Sequence, residues 1–245
     1  MKARAWKTLA VPGAFALAAL AVLIGLGVWQ LERLQWKNAL IAQVAARTSA
    51  PAARLPSESE WKNIGAGDEY RRVTAAGTFR HDREALLHTV EPEERRPGGP
   101  GYLVLTPLVL ADGSAVIVTR GFVPLDRKDA ATRRQGQVAG RVSVTGLLRL
   151  PEEKRWFTPA NDAAKGAWYR RDPAEIAAAL GLARAAPFVI DADAAPNPGG
   201  LPAGGRTHLA FPNNHLQYAF TWFGLALTLV GVFAVFAWQR LRDRR

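Results

Sequence analysis

Two stretches of this chain, residues 8–31 and 216–239, run for 24 positions each without a charged residue. A helix through either would be about 36 Å long and would cross a bilayer core of roughly 30 Å. Buried helices of soluble proteins are rarely so long and so apolar on every side. Past the first stretch, Leu31, Leu34, Ile41 and Val44/Ala45 keep helical spacing, which predicts a helix running on to about Arg47, with Pro51 and Pro56 beyond its end. The pattern then changes to short runs rich in Val and aromatics, broken by Gly and Pro. These predict strands over residues 70–79, 84–90, 102–110, 115–123 and 142–150, and a last one over 187–191. Asp112-Gly113 marks a hairpin between the third and fourth. Residues 106–109 and 116–120 do not alternate strictly, as expected of strands covered on both faces. One further helix is well marked: Asp172 caps it, Pro173 opens it, Ile176 and Leu180 face inward, and Gly181 ends it. The fold class expected is a membrane protein of α+β type. Two transmembrane helices flank an extracytoplasmic, antiparallel β-rich, barrel-like domain with one or two helices.

Charge places these elements about a membrane. Of the net +11, Lys2, Arg4 and Lys7 precede the first stretch, and Arg240, Arg242, Arg244 and Arg245 against Asp243 follow the second. The long segment between holds 25 basic and 20 acidic residues, an ordinary solvated surface, so nucleic acid is not the expected partner. Basic flanks at both termini predict a cytoplasmic segment 1–7, a span 8–31, a periplasmic β-rich domain 32–215, a span 216–239 and a cytoplasmic tail 240–245. Trp6 and Trp238 fit the inner interface of the bilayer; Trp29, Trp36, Tyr218 and Trp222 fit the outer one. The first stretch is too long for the apolar region of a cleaved signal and reads as a retained anchor. The seven residues before it leave no room for a mitochondrial presequence, so the expectation is a bacterial inner-membrane protein. The absence of cysteine excludes disulfides, thiolate metal centres and thiol nucleophiles, and the single methionine excludes a Met-rich copper site.

Few residues carry candidate chemistry. Glu91, Glu93 and Glu94 beside Arg95 and Arg96 read as a solvated charged turn, and Gly98-Gly99-Pro100-Gly101 as a turn rather than a phosphate loop. His81 and His88 lack metal-pair spacing, and Ser114 lacks a nucleophile-elbow setting, so no enzyme machinery is visible. In Thr119-Arg120-Gly121-Phe122-Val123-Pro124, Arg120 reads either as a strand-end residue paired with Asp126 or as a buried or interface-facing guanidinium. His215, after Pro212-Asn213-Asn214, also has two readings. It could solvate the first turn of a helix, or ligate haem iron axially beside Tyr218, Trp222 and Phe223, with Trp29 and Gln30 at the same depth.

Several motifs form an ordered set: Gly27-Val28-Trp29-Gln30-Leu31-Glu32-Arg33-Leu34-Gln35-Trp36-Lys37; Tyr70-Arg71-Arg72-Val73 with Gly77 and Phe79; Gly101-Tyr102 and Thr106-Pro107-Leu108; Arg120-Gly121-Phe122-Val123-Pro124; Pro151-Glu152 with Phe157-Thr158-Pro159-Ala160-Asn161-Asp162 and Trp168; and Asn214-His215-Leu216-Gln217-Tyr218-Ala219 with Thr221-Trp222-Phe223. In that order they resemble the surfeit-locus family of cytochrome c oxidase assembly proteins. The resemblance covers nearly the whole chain. It implies a non-enzymatic assembly factor that binds haem a as cargo through His215, with Tyr218, Trp222, Trp29 and Gln30 around the ring. The partners it implies are oxidase subunit I, haem a synthase and the lipid bilayer. The alternative it allows is a haem-free scaffold that docks through Arg120, Gly121 and Phe122.

Overall fold

A computed structural model describes residues 2–209 and 211–242, with side chains from Leu9 onward. In chain order the elements are α1 (Lys2–Ser49), β1 (Ala53–Arg54), β2 (Arg72–Phe79), β3 (Ala85–Glu91), β4 (Gly99–Leu110), β5 (Ala115–Pro124), β6 (Arg141–Arg149), α2 (Pro173–Ala179), β7 (Ala185–Ala192) and α3 (His215–Arg242). The tail residues Asp243, Arg244 and Arg245 lie outside the described residues, as do the side chains of Lys2, Arg4, Trp6 and Lys7 on which the expected basic flank rests. The chain divides into two compact units, Met1–Gln43 with Ala210–Arg245, and Val44–Leu209.

The first unit is an antiparallel pair of helices, each long and apolar enough to cross a membrane. On α1, up to Lys37, the less exposed positions fall at Leu9, Pro12, Gly13, Ala16, Leu20, Leu23, Leu26, Gly27, Gln30, Leu34 and Lys37. On α3 they fall at His215, Ala219, Trp222, Phe223, Ala226, Leu229, Phe233, Phe236 and Ala237. This three-and-four spacing lays a narrow seam along each helix. Gly27 lies so close to α3 that a Cβ there would meet the Phe223 ring at 2.6 Å, and a Cβ on Gly13 would touch Phe233 at 3.5 Å. Small residues on such a seam let two helices approach where burial from water supplies no driving force.

The second unit is a closed barrel. Its ladder runs β1-β2-β6-β7-β5-β4-β3, and β2 also pairs with β4 through Gly77↔Leu110, Thr78↔Val109 and Phe79↔Leu108, which closes β2-β6-β7-β5-β4 into a ring. Gly77 permits that closure, since a Cβ there would collide with the Val109 carbonyl. The pairings are antiparallel except β5–β7 and the short β1–β2, which are parallel. β4 and β5 are buried almost throughout, on both faces, as their lack of alternation predicts. One face packs Leu108, Val116, Val118, Phe188 and Ile190 against Trp61, which meets Phe188 edge-on at 6.1 Å. The other packs Leu105, Ile117 and Val189 against Trp168 and against Ile176 of α2. That helix starts and stops as expected: Asp172 Oδ1 accepts from the Glu175 N–H at 3.1 Å, and Gly181 turns the chain at φ +66°. Two expectations change. Glu91, expected in a solvated turn, is the buried last residue of β3. Gly99, Pro100 and Gly101 are strand, the opening residues of β4 paired with Glu91, Val90 and Thr89, and the turn lies before them.

Candidate functional site

His215 is the first residue of α3, and the seam brings it against α1 at Gln30, whose side chain is only 8% exposed. His215 Nδ1 and Gln30 Oε1 lie 2.7 Å apart. An amide oxygen can only accept, so Nδ1 donates, and in the neutral ring the lone pair is then on Nε2. Among the described residues nothing donates to Nε2. Two turns further along α1, Asn38 Oδ1 accepts from Asn213 Nδ2 at 2.9 Å, extending the polar end of the seam. Of the aromatic residues expected around a ring, Trp222 and Phe223 lie on the seam, about two turns from His215 and half-buried, with Phe223 against Gly27. Trp29 and Tyr218 point away from it, 52% and 55% exposed, and no ring contact joins these two and Trp222. They line an outer face of the pair rather than a closed slot. An open hollow of about 670 Å³ lies along α3, lined by Asn213, Asn214, Leu216, Gln217, Phe220 and Thr221, and it excludes His215.

Arg120 is the extra residue of a β-bulge. Val104 pairs with Gly121 and Leu105 with Thr119, so Arg120 has no partner in the ladder and its side chain is re-aimed into the interior. Gly121 adopts φ +140°, and a Cβ there would collide with the Ala203 carbonyl, to which the Phe122 N–H donates at 2.9 Å. The partner of Arg120 is Glu84, 3.6 Å away, and not Asp126, which sits by Arg127 at 3.5 Å. Glu84 also takes Arg133 Nη2 at 2.6 Å and Thr106 Oγ1 at 3.3 Å. Arg120 Nη1 donates to His81 Nδ1 at 3.3 Å, Nη2 donates to the Gly136 carbonyl, and the guanidinium lies over the Phe79 ring at 4.9 Å. Burial pulls the Arg120 guanidinium down to about 10, with Glu84 opposing and Arg133 adding to the fall. Arg120, Gly121 and Phe122 are all buried, which corrects the expectation of a docking face: they join loops inside the barrel.

A second buried cluster centres on Asp191 of β7. Arg171 Nη1 straddles its carboxylate at 2.6 and 2.7 Å, Arg149 Nη1 reaches it at 2.8 Å, and Thr207 Oγ1 donates at 3.0 Å. Burial alone would raise the Asp191 carboxyl, but Arg171 and Arg149 outweigh it and hold the group below the usual carboxylate range. Burial alone would likewise lower Arg171, yet Asp191 and Glu152 hold it above its ordinary value. His88 stacks on Tyr169, with ring centres 4.9 Å apart, at the mouth of a cavity of about 320 Å³ beside this cluster. No group of three metal-capable side chains occurs among the described residues. Sequence reasoning missed Glu84, Arg133, Arg171 and Asp191, because charged partners dozens of residues apart leave no local signal.

A family model described as SURF1 family matches residues 17–227, a span that contains Gln30, both clusters and His215. Surfeit locus protein 1 of Rattus norvegicus is 38% identical over 217 residues, covering 84% of this chain and 69% of that protein. The Homo sapiens protein of the same name is 38% identical over 215 residues, covering 82% and 69%. A SURF1-like protein of Monosiga brevicollis is 38% identical over 234 residues, covering 91% and 84%.

Proposed function

The chain belongs to the SURF1 family, and on that premise we propose that it is a cytochrome c oxidase assembly factor which holds haem a at His215 for delivery to oxidase subunit I. The observation that carries this reading is the 2.7 Å contact between His215 Nδ1 and Gln30 Oε1. Metal-bound imidazoles characteristically donate the other ring N–H to a fixed acceptor, which sets the tautomer and the ring orientation. Gln30 is such an acceptor, held in place by its burial on the seam, and it leaves Nε2 as the ligating nitrogen. An amide strengthens the imidazole as a ligand less than a carboxylate would, which suits cargo that has to leave.

Trp222 on the seam and the outward-facing Trp29 and Tyr218 supply apolar surface for the macrocycle. Arg33 and Lys37, one and two turns past Gln30 on α1, supply cations for the propionates. Iron coordination is the one chemistry haem contributes; the protein's part is to bind, orient and release. In this reading the protein lies in a bacterial inner membrane with both termini cytoplasmic and the β-barrel periplasmic, where it meets haem a synthase and subunit I.

The test is the optical spectrum of the full chain purified from cells making haem a. Wild type is expected to carry a Soret band, His215→Ala to lose it, Gln30→Leu to weaken or shift it, and Gln30→Glu to retain it. A band that survives His215→Ala unchanged, or no haem in wild type with copurified subunit I, would replace the carrier by a haem-free scaffold.

A further inference from the structure

Residues 153–157 form the tip of a loop whose feet are fixed and whose end is uncovered. At one foot the Glu152 N–H donates to the Arg171 carbonyl at 2.9 Å, and the Glu152 carboxylate accepts from Arg171 N, Nε and Nη2 at 3.1, 3.0 and 2.7 Å. At the other foot Asn161 Oδ1 accepts the N–H groups of Tyr169 and Arg170 at 2.9 and 3.1 Å, and Asn161 Nδ2 donates to the Arg170 carbonyl at 3.1 Å. Both feet therefore grip one segment, residues 169–171, which Arg171 in turn locks to the buried Asp191. Between them the Thr158 N–H donates to the Arg155 carbonyl at 3.1 Å, closing a turn with Trp156 and Phe157 at its corners. Trp156 is 96% exposed and Phe157 62% exposed, with their rings edge to face at 5.5 Å. Large aromatic side chains are mostly buried in folded proteins, so a clamped turn that holds two of them in water is built to meet another surface.

We propose that this tip enters the headgroup layer of a bilayer carrying anionic lipid. The chemistry favours lipid over protein on three counts. Tryptophan is best placed where one end of the ring is apolar and the other wet, which is the condition of a membrane interface. Lys154 and Arg155 adjoin the aromatics with only Glu153 against them, and all three are exposed, so the tip is net basic and matches anionic headgroups. Two rings also offer far less area than the roughly 1,000 Å² that a specific protein interface needs. In addition the β unit is joined in sequence, at both its ends, to helices long and apolar enough to cross a membrane, so it is tethered wherever those helices are. The inference is independent of haem binding.

The chain has no cysteine, so a nitroxide on Phe157→Cys is a unique probe. The full chain is placed in nanodiscs of phosphatidylcholine with phosphatidylglycerol, beside a second sample labelled at the exposed Asp126→Cys. Collisions with a water-soluble nickel chelate are expected to be several-fold rarer at position 157 than at 126, and collisions with oxygen more frequent. Changing Lys154 and Arg155 to Ser should weaken immersion by about fivefold per charge. Equal nickel access at the two positions would overturn the proposal and leave a protein partner as the occupant. Protection at 157 that is the same in neutral nanodiscs and in the serine variants would overturn the requirement for anionic lipid.

Discussion

The two units of this chain bury polar groups to opposite ends. In the β unit, Glu84 and Asp191 each sit among two arginines and each also takes a hydroxyl, so the valences of these carboxylates are filled from inside. Such clusters tie loops and strands to one another and have little to offer a ligand. In the helix pair the contact at His215 is half-filled: Gln30 satisfies one nitrogen, and no described residue satisfies the other. A saturated buried network marks structure, whereas a half-satisfied pair is the kind of place where the proposed ligand would find a free valence.

The sharpest way to break that comparison is at Asp191. Removing one member of a buried ion pair leaves the other charge uncompensated, so Asp191→Asn should cost roughly 3–5 kcal/mol. For a unit of this size that lowers the melting temperature on the order of 10 °C. A melt within error of wild type would mean the Asp191 cluster does not hold the barrel together. Arg120→Ala comes next, at roughly 2–3 kcal/mol, because Glu84 keeps Arg133. Arg120→Lys should not restore the loss, since a single ammonium cannot reach Glu84, His81 and the Gly136 carbonyl together. Asp126→Asn separates the two candidate partners and should shift stability by less than about 0.5 kcal/mol.

The smallest effect is the acid response. Asp191 has a folded-state pKa below its unfolded one, so the stability it contributes is present above the ordinary carboxylate range and is lost as pH falls through the depressed value. Denaturant titrations at falling pH should therefore show wild type weakening below about pH 4, with a flatter profile for Asp191→Asn.

The elements were legible because each rests on local chemistry. Asp172, Pro173 and Gly181 spell out α2, and the unbroken apolar runs of β4 and β5 announce burial on both faces. Partners were not legible. Asp126 is six residues from Arg120 and Glu84 is thirty-six, and only the fold makes the distant one near. The glycine after Arg120 carried a usable hint, since an Arg-Gly step inside a strand is what a bulge with positive φ requires. On the helix pair, depth was legible and facing was not. Trp29 and Gln30 share a depth, but the three-and-four spacing through Gly27, Gln30 and Leu34 puts Trp29 on another side.

The closure at Gly77 bears on how the barrel is made. Its strands meet partners far away in sequence, β2 with β6 across some seventy residues, so the ring assembles late. Until residues 77–79 reach 108–110, β2 and β4 each present a bare edge along that stretch, and an edge of that kind pairs as readily with a neighbouring chain as with its own. A missing side chain at one position thus does more than relieve a clash. It lets the ring shut on itself, and so protects each newly made chain from its siblings crowded on the same membrane.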